Sequence, residues 1–255
     1  MILATLGPFG DAIQFIFVER ESRAGTVRVG GPGEMWELTF THMKLSLAAT
    51  LIAVAFAMPL GLWLGHIGRY QVLATSTSNI GRAVPALGLV VFFIAFLGVG
   101  FLNVCVALVL LAIPPILTNT YVGIRGVDPE TVDAASGNGL TGRQVALRVE
   151  LPLALPTIMA GIRISLVSVI ATATIAPLAN VDTLGRPIIS PNVYGTSGQL
   201  AACILVALLT IGADAAFAAL QRAVTPRGIK LASDRGRSTD RRLAFLSPKR
   251  SIESS

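Results

Sequence analysis

Five long apolar stretches govern what this chain can fold into. They run over residues 45–65, 80–98, 102–124, 157–179 and 200–221. Each is close to the roughly 20 residues that a helix needs to cross a bilayer. Composition agrees, with 53% hydrophobic residues against 13% charged, where soluble domains carry about 25% charged. The expected fold class is an all-α membrane protein, one multi-pass unit with about five transmembrane helices. In the first stretch Gly61 and Gly65 have the small-xxx-small spacing that lets helices approach closely. Pro114-Pro115 interrupts the third, and Gly98-Val99-Gly100 makes a short turn before it.

Charge sets the orientation. Of the net +6, the whole excess falls in residues 222–255, which carry nine Lys/Arg and three Asp/Glu. Five spans place the termini on opposite sides, and positive residues favour the cytoplasm. With the basic tail inside, so are the loops holding Arg69 and holding Arg125, Arg143 and Arg148. Residues 1–40, with five acidic and three basic residues, fall outside, together with Asp182 and Arg186. The expectation is N-out/C-in. A nucleic-acid partner for the tail is not expected, because no aromatic residues interleave its charges.

Near the N-terminus nothing basic precedes the first apolar residues and Asp11 interrupts them, so no cleavable leader is expected. Phe9, Ile13, Ile16 and Phe17 fall on one helical face, suited to a membrane surface or to packing at the periphery. Residues 180–198 hold two prolines and three glycines. They read either as an external loop or as a re-entrant or gating segment, the latter requiring cover for its backbone. Cys105 and Cys203 lie in apolar stretches without metal-ligand spacing and read as core residues. The expected division is an extracytoplasmic or interfacial segment over 1–40, a membrane domain over 41–228 and a disordered basic tail over 229–255.

Between the third and fourth stretches lies an elaborate polar loop, residues 125–156. Asp128-Pro129 is a helix start, with Asp as cap and Pro at the first helical position. A short helix follows through Asp133, Ala134 and Ala135, and Gly137 and Gly139 end it. Thr141-x-x-Gln144 has capping-box spacing and opens a second helix. Pro152 is expected to stop that helix and Pro156 to mark the start of the fourth span. Small residues on the first helix leave room for a partner, and Asp133 offers it a charged acceptor. The loop reads as a cytoplasmic docking surface.

At this point the chain resembles the permease subunits of ATP-binding-cassette (ABC) importers. Their signature is Glu-Ala-Ala, three residues, Gly, nine residues, Ile, any residue, Leu-Pro. Here the same spacing holds Asp133-Ala134-Ala135, Gly139, Val149, Glu150 and Leu151-Pro152, with Asp for Glu and Val for Ile. The segments around Arg82 and Pro85, around Asn119, from Arg148 to Pro156, from Ala160 to Arg163, and Thr225-Pro226-Arg227-Gly228 are similar to the osmoprotectant branch. Pro177 to Gly185 departs from the glycine-rich stretch typical there. The resemblance implies a type I importer transmembrane domain with cytoplasmic coupling helices, in a bacterial plasma membrane. It implies uptake of glycine betaine, choline, carnitine or related solutes. It assigns Asp133, Ala134, Ala135, Gly139, Val149, Leu151 and Pro152 to ATPase docking. The implied partners are an ATP-binding dimer, a second permease copy or a sister permease, an extracytoplasmic solute-binding protein, and membrane lipid.

The chain's own residues carry no energy source. Its lysines, Lys44, Lys230 and Lys249, follow Met, Ile and Pro, so none sits in a P-loop. ATP and Mg are expected on a partner subunit, with no cofactor and no metal on this chain, which is therefore not an enzyme by itself. His42 and His66 match no zinc signature. Asp214 in the fifth stretch reads either as a pathway or proton-relay carboxylate or as an ion pair between helices. Arg163 reads as an anchor reaching the cytoplasmic face, and Asn79 and Arg82 as interfacial anchors or ligands. With two Trp and three Tyr, the spans hold no aromatic cluster for a quaternary ammonium, which places solute selection on a separate binding protein. The alternatives are a permease for another small solute, such as an amino acid or a thiol-containing metabolite, and a self-contained proton-coupled carrier or channel.

Overall fold

The structure, a computed structural model, describes residues 2–25, 27–68 and 85–224. Asn79, Arg82, the opening of the second apolar stretch and the basic tail lie outside the described residues. Among the described residues nine helices and a small hairpin follow in order: α1 (Ile2–Phe17), β1 (Glu19–Glu21), β2 (Arg28–Gly30), α2 (Gly31–Ile67), α3 (Ala86–Leu97) and α4 (Phe101–Arg125). Then come α5 (Pro129–Gly137), α6 (Gly142–Val145), α7 (Leu151–Thr172), α8 (Gly185–Ile189) and α9 (Pro191–Val224). A π-helical turn (Ala146–Glu150) joins α6 to α7, and a 3₁₀ turn (Ala173–Ala179) extends α7. Among the described residues four helices are long and apolar enough to cross a membrane, and α3 is a shorter apolar one. The antiparallel pair β1–β2 is the one departure from the all-α expectation among the described residues.

The helix α4 is central, with α2 on one side and α7 on the other. The close crossings use glycines. A Cβ on Gly61 would lie 2.7 Å from Thr120, and one on Gly65 would lie 2.8 Å from Ile124. On the other side of α4 a Cβ on Gly161 would lie 2.5 Å from the Asn119 Cβ. Leu45, Leu108, Ile116, Ile158 and Ile170 are fully buried between these helices. Without hydrophobic drive between helices in lipid, close van der Waals approach of this kind holds a bundle together.

Three boundaries differ from the sequence reading. First, α2 begins at Gly31, fourteen residues before the apolar stretch. Its polar first turns are held by Glu34, which accepts from the Gly30 N–H at 2.6 Å, and by burial of Met35 and Leu38. Second, Pro152 does not stop a helix: α6, the π turn and α7 form one continuous helical run, Gly142–Ala179. The Leu151 N–H reaches back five residues to the Ala146 carbonyl. The wider turn places Pro152 at the beginning of α7, where a missing N–H does least harm. Pro156 likewise lies inside α7 instead of at its start. Third, Pro114 and Pro115 lie inside α4 without ending it.

At the end away from the loop 125–156, residues 180–198 fold back onto the bundle. Val181, Thr183, Leu184 and Gly185 are buried, and the Thr183 hydroxyl donates to the Ala173 carbonyl at 3.0 Å. The turn between α3 and α4 is tied to the same region by the Gly100 N–H, 2.7 Å from the Ala179 carbonyl. The helix α1 packs on α9 through Ala12 and Phe15, with Phe15 edge-on to Tyr194. Tyr194 donates to Glu34 at 2.6 Å, joining the N-terminal ends of α9 and α2. Phe9, Ile13 and Phe17 of the expected apolar face point away from the protein.

Candidate coupling loop and the ion pairs around it

The loop between α4 and α7 is built from local signals. The Asp128 side chain accepts from the Glu130 N–H at 3.2 Å and from the Thr131 hydroxyl at 3.2 Å, and Pro129 opens α5. None of the nine residues of α5 is buried. Asp133 and Ala134 are exposed and Ala135 is half-buried, so the outer surface of the helix is small side chains beside the exposed carboxylates of Glu130 and Asp133. The Ser136 hydroxyl and the Asn138 amide donate back to the Val132 and Ala134 carbonyls. Gly139 then turns the chain with φ +86°, a left-handed conformation costing a side-chain-bearing residue about 1–2 kcal/mol. Thr141 and Gln144 form a complete capping box, Gln144 N–H to Thr141 Oγ1 at 3.4 Å and Thr141 N–H to Gln144 Oε1 at 2.9 Å.

Beyond this corner the loop joins the bundle. Val145 and Ala146 are buried, Val149 and Leu151 are half-buried, and Pro152 lies in the first turn of α7. Asp133, Ala134 and Gly139 thus face outward, while Val149, Leu151 and Pro152 lie where the loop passes into the membrane helix. Glu150, in the π turn, is buried, and His66 Nδ1–H donates to its carboxylate at 2.7 Å. The sequence reading missed this pair. Its one available signal was a carboxylate inside the apolar run Val149–Leu151.

The other candidates are separated from the loop. Asn119 sits at the α4–α7 crossing, and its amide donates to the Pro115 carbonyl at 2.7 Å. Pro85 is exposed at the start of α3. Asp214 on α9 accepts two hydrogen bonds from the Arg163 guanidinium on α7. This bidentate geometry matches the planar fork to the carboxylate. Arg163 is therefore a cross-helix partner, and not the solitary anchor expected. Gln221 strengthens the same contact by donating to the Pro156 carbonyl at 3.1 Å.

Comparison with known proteins places these features in a context. A family described as "Binding-protein-dependent transport system inner membrane component" matches residues 57–227. Over 199 residues the chain is 36% identical to the carnitine transport permease protein OpuCB of Listeria monocytogenes, covering 78% of this chain and 91% of that one. It is 37% identical to the glycine betaine/carnitine/choline transport system permease protein OpuCB of Bacillus subtilis, covering 78% and 92%. Among solved structures it is similar to the inward-facing MetNI methionine ABC transporter, with a TM-score of 0.66 and 20% identity, covering 75% of this chain and 96% of that chain. That likeness is one of fold.

Proposed function

This chain belongs to the family of inner membrane components of binding-protein-dependent transport systems, and from that premise we propose how its parts work. It is the membrane-embedded permease subunit of an ABC importer for osmoprotectants, and its solutes are glycine betaine, choline, carnitine and their chemical relatives. A separate ATP-binding dimer carries ATP and Mg, docks on the loop 127–152 and hydrolyses ATP. A solute-binding protein delivers solute on the outer side, and a second copy or a sister permease completes the pathway. The orientation is N-out/C-in, with 1–40 outside, 41–228 as the permease domain and 229–255 in the cytoplasm. Arg82 and Pro85 belong to the wall of the pathway or to its packing, as does Asn119.

The observation that carries the docking role is α5. It is nine residues long, doubly capped, wholly unburied and held off the bundle by a glycine corner. A helix with no buried residue, and only Val132 and Ala135 half-buried, has little packing of its own to maintain. Its stability comes from local caps, and its surface is open for a partner. ATP-driven closure of the partner dimer would move α5 and rock the bundle between its inward- and outward-facing states.

Asp133→Arg and Gly139→Val test this directly. Each is expected to abolish uptake and reduce co-purification of the ATP-binding subunit while the permease itself stays at its normal level in the membrane. Normal uptake by both variants would make the docking assignment wrong. Uptake of labelled glycine betaine, choline and carnitine, set against an amino-acid panel, tests the solute class.

A further inference from the structure

We infer that His66 and Glu150 form a second output of the coupling loop, positioning residues that make α2 move with α7 when the ATPase moves the loop. This inference rests on the docking role of α5 proposed above. The covalent output of the loop is plain: α6, the π turn and α7 are one helical run, so displacing α6 displaces α7. The helix α2 has no such connection. Its inner end is the turn at Gly68, where the chain takes the left-handed conformation.

At that end His66 lies between the two parts of the loop. Nδ1 donates to Glu150 in the π turn at 2.7 Å, and the opposite ring nitrogen, Nε2, faces the first residue of α6. A Cβ on Gly142 would lie 3.2 Å from that Nε2, so the imidazole is in near contact with the beginning of α6 as well. The Glu150 side chain is 7% exposed and that of His66 30%. A carboxylate this deep is costly to leave without a partner, so the pair resists separation when the loop is pushed. A π turn is also the part of the run with the widest hydrogen-bonded ring, and such turns recur at functional sites. The link is thus made at the one irregular turn between the docking surface and the membrane, and it spans 84 residues of sequence.

Without the pair, α2 follows α7 through their shared packing on α4 and through their direct contact far from the loop, where His42 Nε2–H donates to the Ile170 carbonyl at 2.8 Å. The loop would still dock the ATPase and the ATPase would still turn over, but fewer cycles would carry α2 to its new position. The consequence is uncoupling, with more ATP spent for each solute moved.

The test uses the complete transporter, with its ATP-binding subunit and solute-binding protein, reconstituted in vesicles. Transport of labelled choline, carnitine or glycine betaine, whichever the unaltered transporter takes up, is measured together with ATP hydrolysis. His66→Ala and Glu150→Ala are each expected to lower solute moved per ATP about tenfold, within the usual range of coupling between sites. The double variant is expected to fall no further, because both changes remove one link. Glu150→Gln, which keeps an acceptor for Nδ1–H, is expected to retain at least half of the coupling, and KM for the loaded binding protein stays unchanged throughout. An unchanged ratio in the single variants, or losses that multiply in the double, would overturn the inference. So would loss of the ATP-binding subunit from purified His66→Ala, since the pair would then only hold the dock together. Where Glu150→Ala does not reach the membrane, His66→Ala and Glu150→Gln decide by the same readings. Failure of the docking proposal is separate: it appears as normal ATPase association in Asp133→Arg, whatever the transport-to-ATP ratio of the His66 variants.

Discussion

Replacing Gly161 with alanine tests whether the α4–α7 crossing is as close as described. The added Cβ would lie 2.5 Å from the Asn119 Cβ, 2.9 Å from the Pro115 carbonyl oxygen and 3.1 Å from the Asn119 Cγ. Carbon pairs settle at about 3.5–4.0 Å, so the helices must part by roughly 1 Å, and a gap of that size forfeits a quarter to a half of each affected contact. The contacts at stake include Ile116 and Ile158, both fully buried, and the hydrogen bond from the Ser165 hydroxyl to the Ala112 carbonyl at 2.9 Å. Overpacking of this kind costs about 1–3 kcal/mol. Alanine returns up to about 1 kcal/mol in helix propensity. The working figure is a net loss of about 1–2 kcal/mol, which for a chain of this size lowers the melting temperature by roughly 2–8 °C. The protein supplies its own reporter. Cys105 is buried, so in a Cys203→Ser background a thiol-reactive dye labels it only on unfolding. Gly212→Ala is the control, because nothing lies within 4 Å of the Cβ it would add, and it is expected to leave the melting temperature unchanged or slightly raised. If Gly161→Ala melts with Gly212→Ala, the reasoning from close approach is refuted.

Two further outcomes follow from the polar contacts. Removing either member of the Arg163–Asp214 pair leaves the other without its cross-helix partner; Asp214→Ala is expected to impair assembly and uptake more than the double variant Arg163→Ala/Asp214→Ala, as measured by membrane level and transport. A double variant as inactive as Asp214→Ala, but normally assembled, would instead make Asp214 a working carboxylate of the pathway. Thr141→Ala deletes the acceptor of the capping box and is expected to cost α6 about 1 kcal/mol, seen as roughly fivefold faster amide hydrogen exchange at Gln144 with little change in α7.

What the sequence made legible divides by the range of the interaction. The caps of the loop are contacts between residues two or three apart, Asp128 with Glu130 and Thr141 with Gln144, and residue type at fixed spacing predicts them. The spans are legible for a similar reason, since bilayer thickness demands a length that can be counted. Their ends are less so. Hydropathy loses α2 before residue 45, because the helix continues through Glu34, Glu37, His42 and Lys44 above the apolar stretch. Pro152 and Pro156 misled in the opposite direction: the π turn accommodates Pro152 at the beginning of α7, and Pro156 lies inside α7 without ending it.

The pairs that join distant helices had no such spacing to betray them. His66 and Glu150 lie 84 residues apart, Arg163 and Asp214 51, and Tyr194 and Glu34 160. Yet each includes an acidic residue in or beside an apolar helix, where an isolated charge is costly. The cost itself predicts that a partner exists, though not which one. The helix α1 shows the complementary limit. Its large apolar residues Phe9, Ile13 and Phe17 look outward, while Ala12 and the single Phe15 make the contact with α9. An outward apolar face of this kind suits a membrane surface, and shape fits the smaller face to α9. Gly198 opens the space that Phe15 fills: a Cβ there would lie 3.1 Å from the Phe15 ring. Within this bundle, small residues therefore mark the protein-facing surfaces more reliably than large apolar ones, at Gly61, Gly65 and Gly161 as at Ala12 and Gly198.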